Sequence, residues 1–449
     1  MSDREQGCGL PGWKRTTLGK ALPIHYGKAR NEKYGTVRED TPVYGSSGRI
    51  DTFKRALTSR PSLIIGRKGT VGATYYCPDP CWPIDTVYFA EASPDEDLRF
   101  FKYLLDHLQL ARMDRSTAVP GLSRDDYNAT EVFIPELDQQ RLIVAEIEKQ
   151  FSRLDEAVAS LKRTKANLKR YKAAVLKAAV EGGLTEEWRN QHPNVDPASK
   201  LLERILAERR AKWNGKGKYK EPRPPDTSDL PNLPHGWAWA RWEQIGFSQN
   251  GRAFPSAQYQ QSGFKLLRPG NLHVSGKVVW TKENTRCMPQ KWADEFPAFI
   301  VGPHELIMNL TAQSLKDEFL GRVCLTGAGE ACLLNQRQAR LTPLLVLQDF
   351  LLWLFKSAVF RRFVDGLNTG SLIQHMFTTQ LADFVLPLPP LDEQHQIVAE
   401  VERRLSVIDE LEATVDANLK RADRLRQSIL GEAFSGKLTA SLPGRAIAY

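Results

Sequence analysis

Two long stretches of the chain repeat apolar residues at alternating spacings of three and four. The first follows Pro135 and the second follows Pro390, and they run to Gly182 and Gly436. The apolar positions are Ile147, Phe151, Leu154, Val158, Leu161, Leu168 and Val175, then Val401, Leu405, Ile408, Val415, Ala422 and Ile429. This heptad pattern predicts two helices of about 45 residues, each roughly 65 Å long at about 1.5 Å per residue. Neither helix could bury its apolar stripe alone, so we expect the two to pair antiparallel, with the segments that precede them at opposite ends.

The two stretches are copies of one another. Residues Leu137 to Thr185 align without a gap with Leu391 to Thr439, at an offset of about 254 residues, and roughly 18 of 49 positions are identical. A single heptad helix more often stabilises a fold than carries a function. The duplication favours a function, because a chain built from two repeats suits a target in two parts.

A segment of mixed strand and helix patterns precedes each long helix. The first opens at Leu10-Pro11-Gly12-Trp13 and the second at Leu233-Pro234-His235-Gly236-Trp237. Short apolar runs between turn residues predict strands at 42–50, 62–76 and 86–89, and at 264–267, 277–281, 306–310 and 322–326. Helical periodicity follows at 98–112 and at 349–363. Both segments are therefore predicted to be α+β, with the same arrangement of elements.

Residues 186–232, between the first long helix and the second segment, are predicted to be a linker. A helix is expected at 199–213, and the basic, proline-rich run GKGKYKEPRPPD follows it. Charge and proline without apolar residues favour an exposed linker over a domain.

Composition narrows the class of protein. The 449 residues suffice for two or three domains, and 62 Lys and Arg against 53 Asp and Glu give a net charge of +9, which modestly favours polyanionic partners. Six scattered cysteines suggest no disulfide framework, and no signal peptide is evident, so we expect a reduced, cytoplasmic protein. The most apolar run, 344–360, is interrupted by Asp349 and Lys356, which predicts a core helix and no association with a membrane.

Five short motifs accompany the duplication. They are the Leu-Pro-x-Gly-Trp type openings at Leu10 and Leu233, Tyr44-Gly45-Ser46-Ser47-Gly48, Gly66-Arg67-Lys68-Gly69-Thr70-Val71-Gly72, Leu333-Leu334-Asn335-Gln336-Arg337, and Leu388-Pro389-Pro390-Leu391-Asp392-Glu393-Gln394. Together they resemble the specificity subunit of type I restriction-modification enzymes, and the resemblance covers nearly the whole chain. The start of the first long helix departs mildly from the family pattern, since Ile134-Pro135-Glu136-Leu137-Asp138-Gln139-Gln140 lacks its Pro-Pro and Glu-Gln forms.

The resemblance implies an α+β fold class, with two α/β target recognition domains separated by two long antiparallel coiled-coil helices in a pseudo-two-fold internal repeat. The implied boundaries are domains at 1–135 and 233–389, spacer helices at 136–185 and 390–436, the linker at 186–232, and a tail at 437–449. Each domain would read one half of a bipartite site in double-stranded DNA. The helices would set the spacing and dock methyltransferase subunits, two in number. These partners would methylate adenine and restriction subunits would join them, so S-adenosylmethionine, ATP and Mg²⁺ are expected on the partners and no cofactor on this chain.

The DNA-binding candidates lie on glycine-flanked loops and polar turns, which expose backbone and side chains together. Phosphate contacts need Lys and Arg, and base edges need forked or bidentate side chains. The candidates are Tyr44, Ser46, Ser47, Arg49, Arg67, Lys68 and Thr70 in the first segment, and Arg268, Asn271, Asn309, Gln313, Lys316, Asn335, Gln336, Arg337, Gln374 and His375 in the second. For any one of them, solvated loop surface explains the residue as well as a DNA contact does.

A catalytic interpretation finds little support. Asp79-Pro80-Cys81-Trp82 is similar to the Asp-Pro-Pro-Tyr type motif with which amino-methyltransferases hold a flipped base, but it lacks the second proline and no cofactor loop accompanies it. The glycine-rich 66–72 loop lacks the spacing of a phosphate-binding loop, and Cys77 and Cys81 lack a second pair of zinc ligands. We therefore predict no catalytic residue and no metal site. Two alternatives stay open: a self-sufficient DNA modification enzyme or nuclease, and a coiled-coil adaptor that binds DNA without sequence preference.

Overall fold

The structure is a computed structural model that describes residues 12–91, 93, 96–113, 121–213, 217–313, 318–367 and 374–440. The chain divides into two units, of which unit 1 is Met1–Thr164 with Thr414–Tyr449, and unit 2 is Lys165–Ala413. Up to the end of the first long helix the elements are β1 (Trp13–Thr17), α1 (Leu18–Ala21), β2 (His25–Tyr26), β3 (Thr36–Gly45), β4 (Gly48–Ala56), β5 (Ser62–Gly66), β6 (Thr74–Cys77), β7 (Trp82–Pro83), β8 (Val87–Glu91), α2 (Leu98–Leu108), α3 (Arg124–Ala129), β9 (Glu131–Pro135) and α4 (Leu137–Val180).

The rest of the described chain continues the numbering. Its elements are α5 (Glu186–Gln191), α6 (Ala198–Ala211), β10 (Ala238–Arg241), α7 (Trp242–Ile245), β11 (Gly246–Asn250), β12 (Phe264–Leu267), β13 (Cys287–Met288), α8 (Lys291–Glu295), β14 (Ile300–Val301), β15 (Leu306–Asn309), β16 (Thr311–Ala312), β17 (Val323–Leu325), β18 (Cys332–Leu334), β19 (Gln338–Pro343), α9 (Gln348–Phe355), α10 (Ala358–Gly366), β20 (Gln374–His375), α11 (Thr378–Ala382), β21 (Val385–Leu388), α12 (Leu391–Phe434) and α13 (Lys437–Ala440).

The two long helices form where the heptads predict them. Both α4 and α12 contain 44 residues. Each ends just before a glycine with positive φ, Gly182 at 78° and Gly436 at 74°. A residue in this left-handed conformation stops a helix, and glycine adopts it without steric cost.

The predicted apolar seam faces inward in both helices. All thirteen residues of the seam are buried or half-buried. In unit 1, Ile147 of α4 and Ile429 of α12 share one core. In unit 2, Val175 of α4 shares a core with Val401 of α12. These shared cores confirm the coiled-coil prediction.

Ion pairs give the direction of the pairing. Arg426 of α12 bonds to Asp155 of α4 in unit 1, and Lys172 of α4 donates to Asp409 of α12 at 2.9 Å in unit 2. The later contact residue of α4, Lys172, therefore pairs with the earlier one of α12, Asp409. The two helices run antiparallel, as predicted.

Unit 1 is built on a four-stranded antiparallel sheet of order β2-β8-β5-β6. A second sheet has the order β4-β3-β7, with β3 antiparallel to β4 and parallel to β7. Leu63 and Ile65 of β5 pack in one core with Phe100 and Phe101 of α2, because alternate residues of a strand face the same side. The strands expected within 42–50, 62–76 and 86–89 and the helix expected at 98–112 are confirmed.

Unit 2 repeats these connections. Its four-stranded antiparallel sheet has the order β11-β19-β15-β17, and its second sheet has the order β13-β12-β18-β14, with β12 antiparallel to β13 and parallel to β18. In both units a two-stranded pair, β1 with β9 or β10 with β21, leads to the long helix. The shared topology confirms the internal repeat.

One glutamine in each repeat makes the same two hydrogen bonds. Gln140 donates to the Pro135 carbonyl at 2.9 Å and accepts from the Asp97 N–H at 3.0 Å. Gln394 donates to the Pro389 carbonyl and accepts from the Leu347 N–H, both at 3.0 Å. Asp97 and Leu347 are the residues that precede α2 and α9, so each glutamine ties the start of a long helix to the start of a core helix.

Two predictions in unit 2 are wrong. Residues 277–281 form only isolated bridges, because their backbone hydrogen bonds go singly to different segments. Val278 N–H donates to the carbonyl of Leu325, at the end of β17, and Val279 N–H donates to the carbonyl of Asn271, in a turn. The helix expected at 349–363 breaks into α9 and α10. The Ser357 hydroxyl donates to the Leu354 carbonyl at 2.6 Å, and such side-chain bonding competes with a continuous helix.

The segment that was predicted to be an exposed linker contains a helix with buried residues. The helix expected at 199–213 is α6, but Leu201 and Ile205 at its i and i+4 positions are buried in the core of unit 2. An additional helix, α5, precedes it. Residues 217–236 contain no helix or strand and are mostly exposed.

The apolar run at 344–360 is confirmed as part of the core. Phe350, Leu351 and Leu354 are buried in unit 2. No helix within the described ranges is both long enough and apolar enough to cross a membrane.

Candidate nucleic-acid interface

Unit 1 brings its two predicted loops together. The Ser46 carbonyl, in the turn between β3 and β4, accepts a hydrogen bond from the Tyr75 hydroxyl at 3.3 Å. A Cβ atom added to Gly69 would lie 2.9 Å from the Ser46 Oγ. The φ of Gly69 is 78°, so both its conformation and this close approach favour glycine. The loops 44–49 and 66–72 therefore form one surface.

Arg67 is held beside this surface by a carbonyl and two aromatic rings. Its Nη2 donates to the Asp85 carbonyl at 2.8 Å. Its guanidinium lies 5.4 Å from the centre of the Tyr26 ring and 5.9 Å from that of Tyr88, and Arg124 lies 5.5 Å from Tyr26. The Tyr26 ring therefore makes cation–π contacts with two arginines, Arg67 and Arg124. Tyr26 and Arg124 are not among the residues predicted from the sequence, since no local motif links them to Arg67.

The other candidates of unit 1 differ in exposure. Ser47, Arg49, Lys68 and Thr70 are exposed, whereas Tyr44 and Ser46 are half-buried. The Tyr44 ring packs against Tyr75 with 6.4 Å between ring centres, and burial raises the pKa of Tyr44 to about 12. Tyr44 is therefore a neutral hydroxyl at physiological pH. It can donate a hydrogen bond but adds no charge.

Unit 2 places Arg268 beside the 335–337 loop. The Asn335 N–H donates to the Leu267 carbonyl at 3.3 Å, so the loop lies against the residue that precedes Arg268. Gln336 and Arg337 are exposed at the end of the loop. The Asn335 side chain accepts from the Gln336 N–H at 2.8 Å and so shapes the loop.

Three further candidates lie on a neighbouring strand pair. The pair β16–β20 sets Thr311 opposite His375 and Ala312 opposite Gln374, and Gln313 follows Ala312 on the surface. Leu310 links this pair to the loop, because its N–H donates to the Arg337 carbonyl at 2.9 Å and its carbonyl accepts from Met376 at 3.0 Å. The remaining candidate, Lys316, lies outside the described residues.

Two asparagine candidates have their side chains inside the unit. Asn271 is 1% exposed, and its Oδ1 accepts from the Arg268 N–H at 2.9 Å. Asn309 is fully buried, and its Nδ2 donates to the carbonyls of Thr311 at 2.7 Å and Phe319 at 2.9 Å. Both amides hold backbone in place, so we leave these two residues out of the proposed interface.

The 79–82 motif and the cysteines, which were considered as catalytic or metal-binding features, occupy structural positions. Cys81 and Trp82 are fully buried, and the Trp82 indole donates to the Lys28 carbonyl at 2.8 Å. The five described cysteines are free thiols. A hydrogen bond from Cys81 is the main reason that the pKa of Cys77 falls to about 6. Within the described part of the chain, no three His, Cys, Asp or Glu side chains come together in a way that could hold a metal ion.

The sequence is similar to several characterised proteins. It is 25% identical over 328 residues to the specificity subunit of the type I restriction enzyme EcoDI of Escherichia coli, covering 73% of this chain and 66% of that subunit. It is 30% identical over 275 residues to the EcoAI subunit, covering 60% and 45%, and 26% identical over 391 residues to the EcoBI subunit, covering 84% and 74%, both from Escherichia coli. The chain thus spans under two thirds of the length of the EcoDI and EcoAI subunits. No protein-family model matches it.

A solved structure shares the fold. A chain from a structural study of the assembly and conformational transition of a type I restriction-modification system superposes with a TM-score of 0.61 at 18% identity, covering 95% of this chain and 99% of that one. The fold and the loops define a duplicated α+β protein in which each unit is joined to a long, paired helix. In sequence the chain is similar to type I restriction enzyme specificity subunits, and it shares the fold of a chain from such a system.

Proposed function

We propose that this chain is the DNA-recognition subunit of a type I restriction-modification complex. Unit 1 and unit 2 would each read one half of a bipartite site. The observation that carries the proposal is the repeated topology, in which each unit builds a four-stranded sheet and a second sheet in the same way and carries polar, basic loops between their strands. A protein with two such DNA-binding units requires a target with two half-sites.

The charges of these loops support DNA as the ligand. Arg49, Lys68, Arg268 and Arg337 have no carboxylate partner among the residues that the structure describes. Cations without acidic partners are free to neutralise phosphates and release counterions. The proposed interface is Tyr44, Ser46, Ser47, Arg49, Arg67, Lys68 and Thr70 in unit 1, and Arg268, Gln313, Gln336, Arg337, Gln374 and His375 in unit 2. Asn335 is buried and, like Asn271 and Asn309, holds the backbone in place.

The chemistry would belong to partners. We infer that two methyltransferase subunits bind the long helices and methylate adenine with S-adenosylmethionine, and that restriction subunits supply ATP- and Mg²⁺-dependent cleavage. The chain itself would select the site and hold no cofactor. Genomic DNA as the target and five free thiols support a cytoplasmic location.

Selection of bound duplexes from a randomised pool tests the proposal. The full-length chain assembled with its methyltransferase partner should enrich two short sequences separated by a spacer of fixed length, and should methylate adenine within them. Binding without any sequence preference would favour the non-specific adaptor instead. Methyl transfer by the pure chain alone, at the rate of the assembled complex, would favour a self-sufficient enzyme.

A further inference from the structure

A glycine followed by a cation occupies the same structural position in both units. Gly27 and Gly251 lie at the same distance along the chain from Trp13 and Trp237. Gly27 N–H donates to the Val87 carbonyl and the next N–H to the Pro83 carbonyl, both at 3.0 Å. Gly251 N–H donates to the Gln338 carbonyl at 2.9 Å and the next N–H to the Leu334 carbonyl at 3.0 Å. Lys28 and Arg252, which follow the two glycines, are therefore structural equivalents.

Glycine is required at both positions because the backbone of another segment lies in direct contact with it. A Cβ atom on Gly27 would overlap the carbonyl oxygen of Ile84, and one on Gly251 would overlap the carbonyl oxygen of Asn335. This contact fixes the chain at the end of β2 or β11. The side chain that follows therefore starts from a rigid backbone position beside the 84–86 or the 335–337 loop.

Each cation lies over an aromatic ring. The Arg252 guanidinium is 3.7 Å from the centre of the Phe296 ring, and the Lys28 Nζ is 4.4 Å from the centre of the Tyr34 ring. Neither cation has a carboxylate partner within the described ranges. A ring beneath a guanidinium stabilises it by cation–π contact and limits its rotamers without using its hydrogen-bond donors.

The donors of Arg252 remain available to a ligand. Its Nε is buried and has no hydrogen-bond partner among the described residues, whereas its two Nη atoms are neither buried nor bonded to them. Arg252 also forms a backbone bridge to Asn335, in the candidate loop that contains Gln336 and Arg337. The backbone of Arg252 therefore lies against a loop of the proposed interface of unit 2, and its guanidinium extends from there over Phe296.

We propose that Arg252 reads a guanine in the half-site bound by unit 2, and that Lys28 reads a guanine at the equivalent step of the other half-site. The O6 and N7 atoms of guanine accept two hydrogen bonds from an arginine fork in the major groove. A guanidinium held by Phe296 is already oriented for this contact, so little conformational entropy is lost on binding. The inference rests on the proposed function, since it names the residues through which the two units recognise DNA.

The test compares the unaltered chain with Arg252→Ala, Arg252→Lys and Phe296→Leu, each assembled with the methyltransferase partner. Bound duplexes are selected from a randomised pool. Arg252→Ala should lose the preference for guanine at one position of one half-site by about 5- to 150-fold, while the other half-site keeps its sequence. Arg252→Lys and Phe296→Leu should each lose part of that preference. Lys28→Ala should relax a guanine in the other half-site instead.

The exposed Arg362 on α10 provides a matched control, and Arg362→Ala should leave both half-sites unchanged. Uniform weakening by Arg252→Ala, with a smaller salt dependence and an unchanged sequence, would show a phosphate contact and overturn the inference. Unchanged selection would overturn it as well. If Arg252→Ala does not fold, Arg252→Lys and Phe296→Leu decide the question, because both keep a similar volume. Failure of the unaltered chain to select any bipartite sequence would instead refute the proposed function.

Discussion

At the scale of single residues, the buried carboxylate of Glu393 joins three parts of unit 2. It is 1% exposed and accepts hydrogen bonds from the Thr185 hydroxyl at 2.7 Å, from the Trp237 indole at 2.8 Å and from Arg189. The repeat places Gln139 at the equivalent position of the first copy. The ion pair is therefore specific to the second copy.

Replacing Glu393 with glutamine should destabilise unit 2. Glu393→Gln keeps the shape but leaves the half-buried Arg189 without its counter-charge, so we expect a loss of about 2–4 kcal/mol. Chemical denaturation monitored by tryptophan fluorescence measures it. The exposed Glu402, also on α12, gives the control variant Glu402→Gln, which should change stability by under about 0.5 kcal/mol. Equal effects of the two substitutions would contradict a structural role for the buried pair.

A second prediction concerns pH. Hydrogen bonds from Arg403, and then from Arg404, lower the pKa of Glu400 from its ordinary value of 4.5 to about 2. The folded state thus favours the charged carboxylate, and this stabilisation is present above pH 4.5 and lost as the pH falls towards 2. Glu400→Gln should reduce the free energy of unfolding by about 1 kcal/mol at pH 7, because helix-surface pairs are weak. The difference from the unaltered chain should vanish near pH 2, and a difference independent of pH would contradict the assignment.

At the scale of elements, local patterns and distant contacts were not equally predictable. The bounds of α4 and α12 follow from heptads and terminal glycines, which are local. The break between α9 and α10 depends on Ser357 bonding to a carbonyl within the folded core, and no spacing signals it.

The candidate site likewise contains residues that local sequence predicts and residues that only distant contacts bring there. Glycines indicated the 44–49 and 66–72 loops of unit 1. Arg252 and Arg124 lie at the site only because strand pairing and packing bring distant segments together. The Asn271 side-chain amide could form hydrogen bonds with a base, but the same amide can also cap a turn by bonding to the backbone.

Helix α6 offers a test of where unit 2 begins. Ile205 is fully buried there, so Ile205→Ala should cost about 2–4 kcal/mol through reduced burial and a residual cavity. Lys218→Ala, in the exposed segment that follows, should cost under about 0.5 kcal/mol. Denaturation midpoints of the two variants measure the contrast. Similar midpoints would restore the interpretation of residues 186–232 as a linker.

At the scale of the whole molecule, duplication predicts modular recognition. Arg67 and Lys68 belong to unit 1, so replacing both with alanine should weaken binding and lower the salt slope by about one for each phosphate that is no longer neutralised. Any change in sequence preference should fall in the half-site of unit 1. Equilibrium binding at several salt concentrations, together with selection of bound sequences, measures both effects. An altered preference in the half-site read by unit 2 would contradict modularity.

The length of the paired helices is expected to fix the length of the DNA spacer between the two half-sites. Both α4 and α12 contribute residues to unit 1 and to unit 2, and they pair with Asp155 against Arg426 and Lys172 against Asp409. Insertions after residues 161 and 419 are therefore opposite one another. Seven residues keep the apolar seam in phase, so one heptad in each helix should lengthen the pair by about 10 Å.

Because DNA advances about 3.4 Å per base pair, the preferred spacer should grow by about three base pairs while both half-sequences stay the same. Three base pairs also rotate one half-site by roughly 100°, so affinity should fall as the DNA or the coil deforms to follow. Selection from a pool with randomised spacers measures the change. Seven glycine and serine residues added after Gly217, in the exposed segment, should leave the spacer unaltered. If the lengthened helices retained binding with the original spacer, the paired helices would not be the element that sets the distance between half-sites.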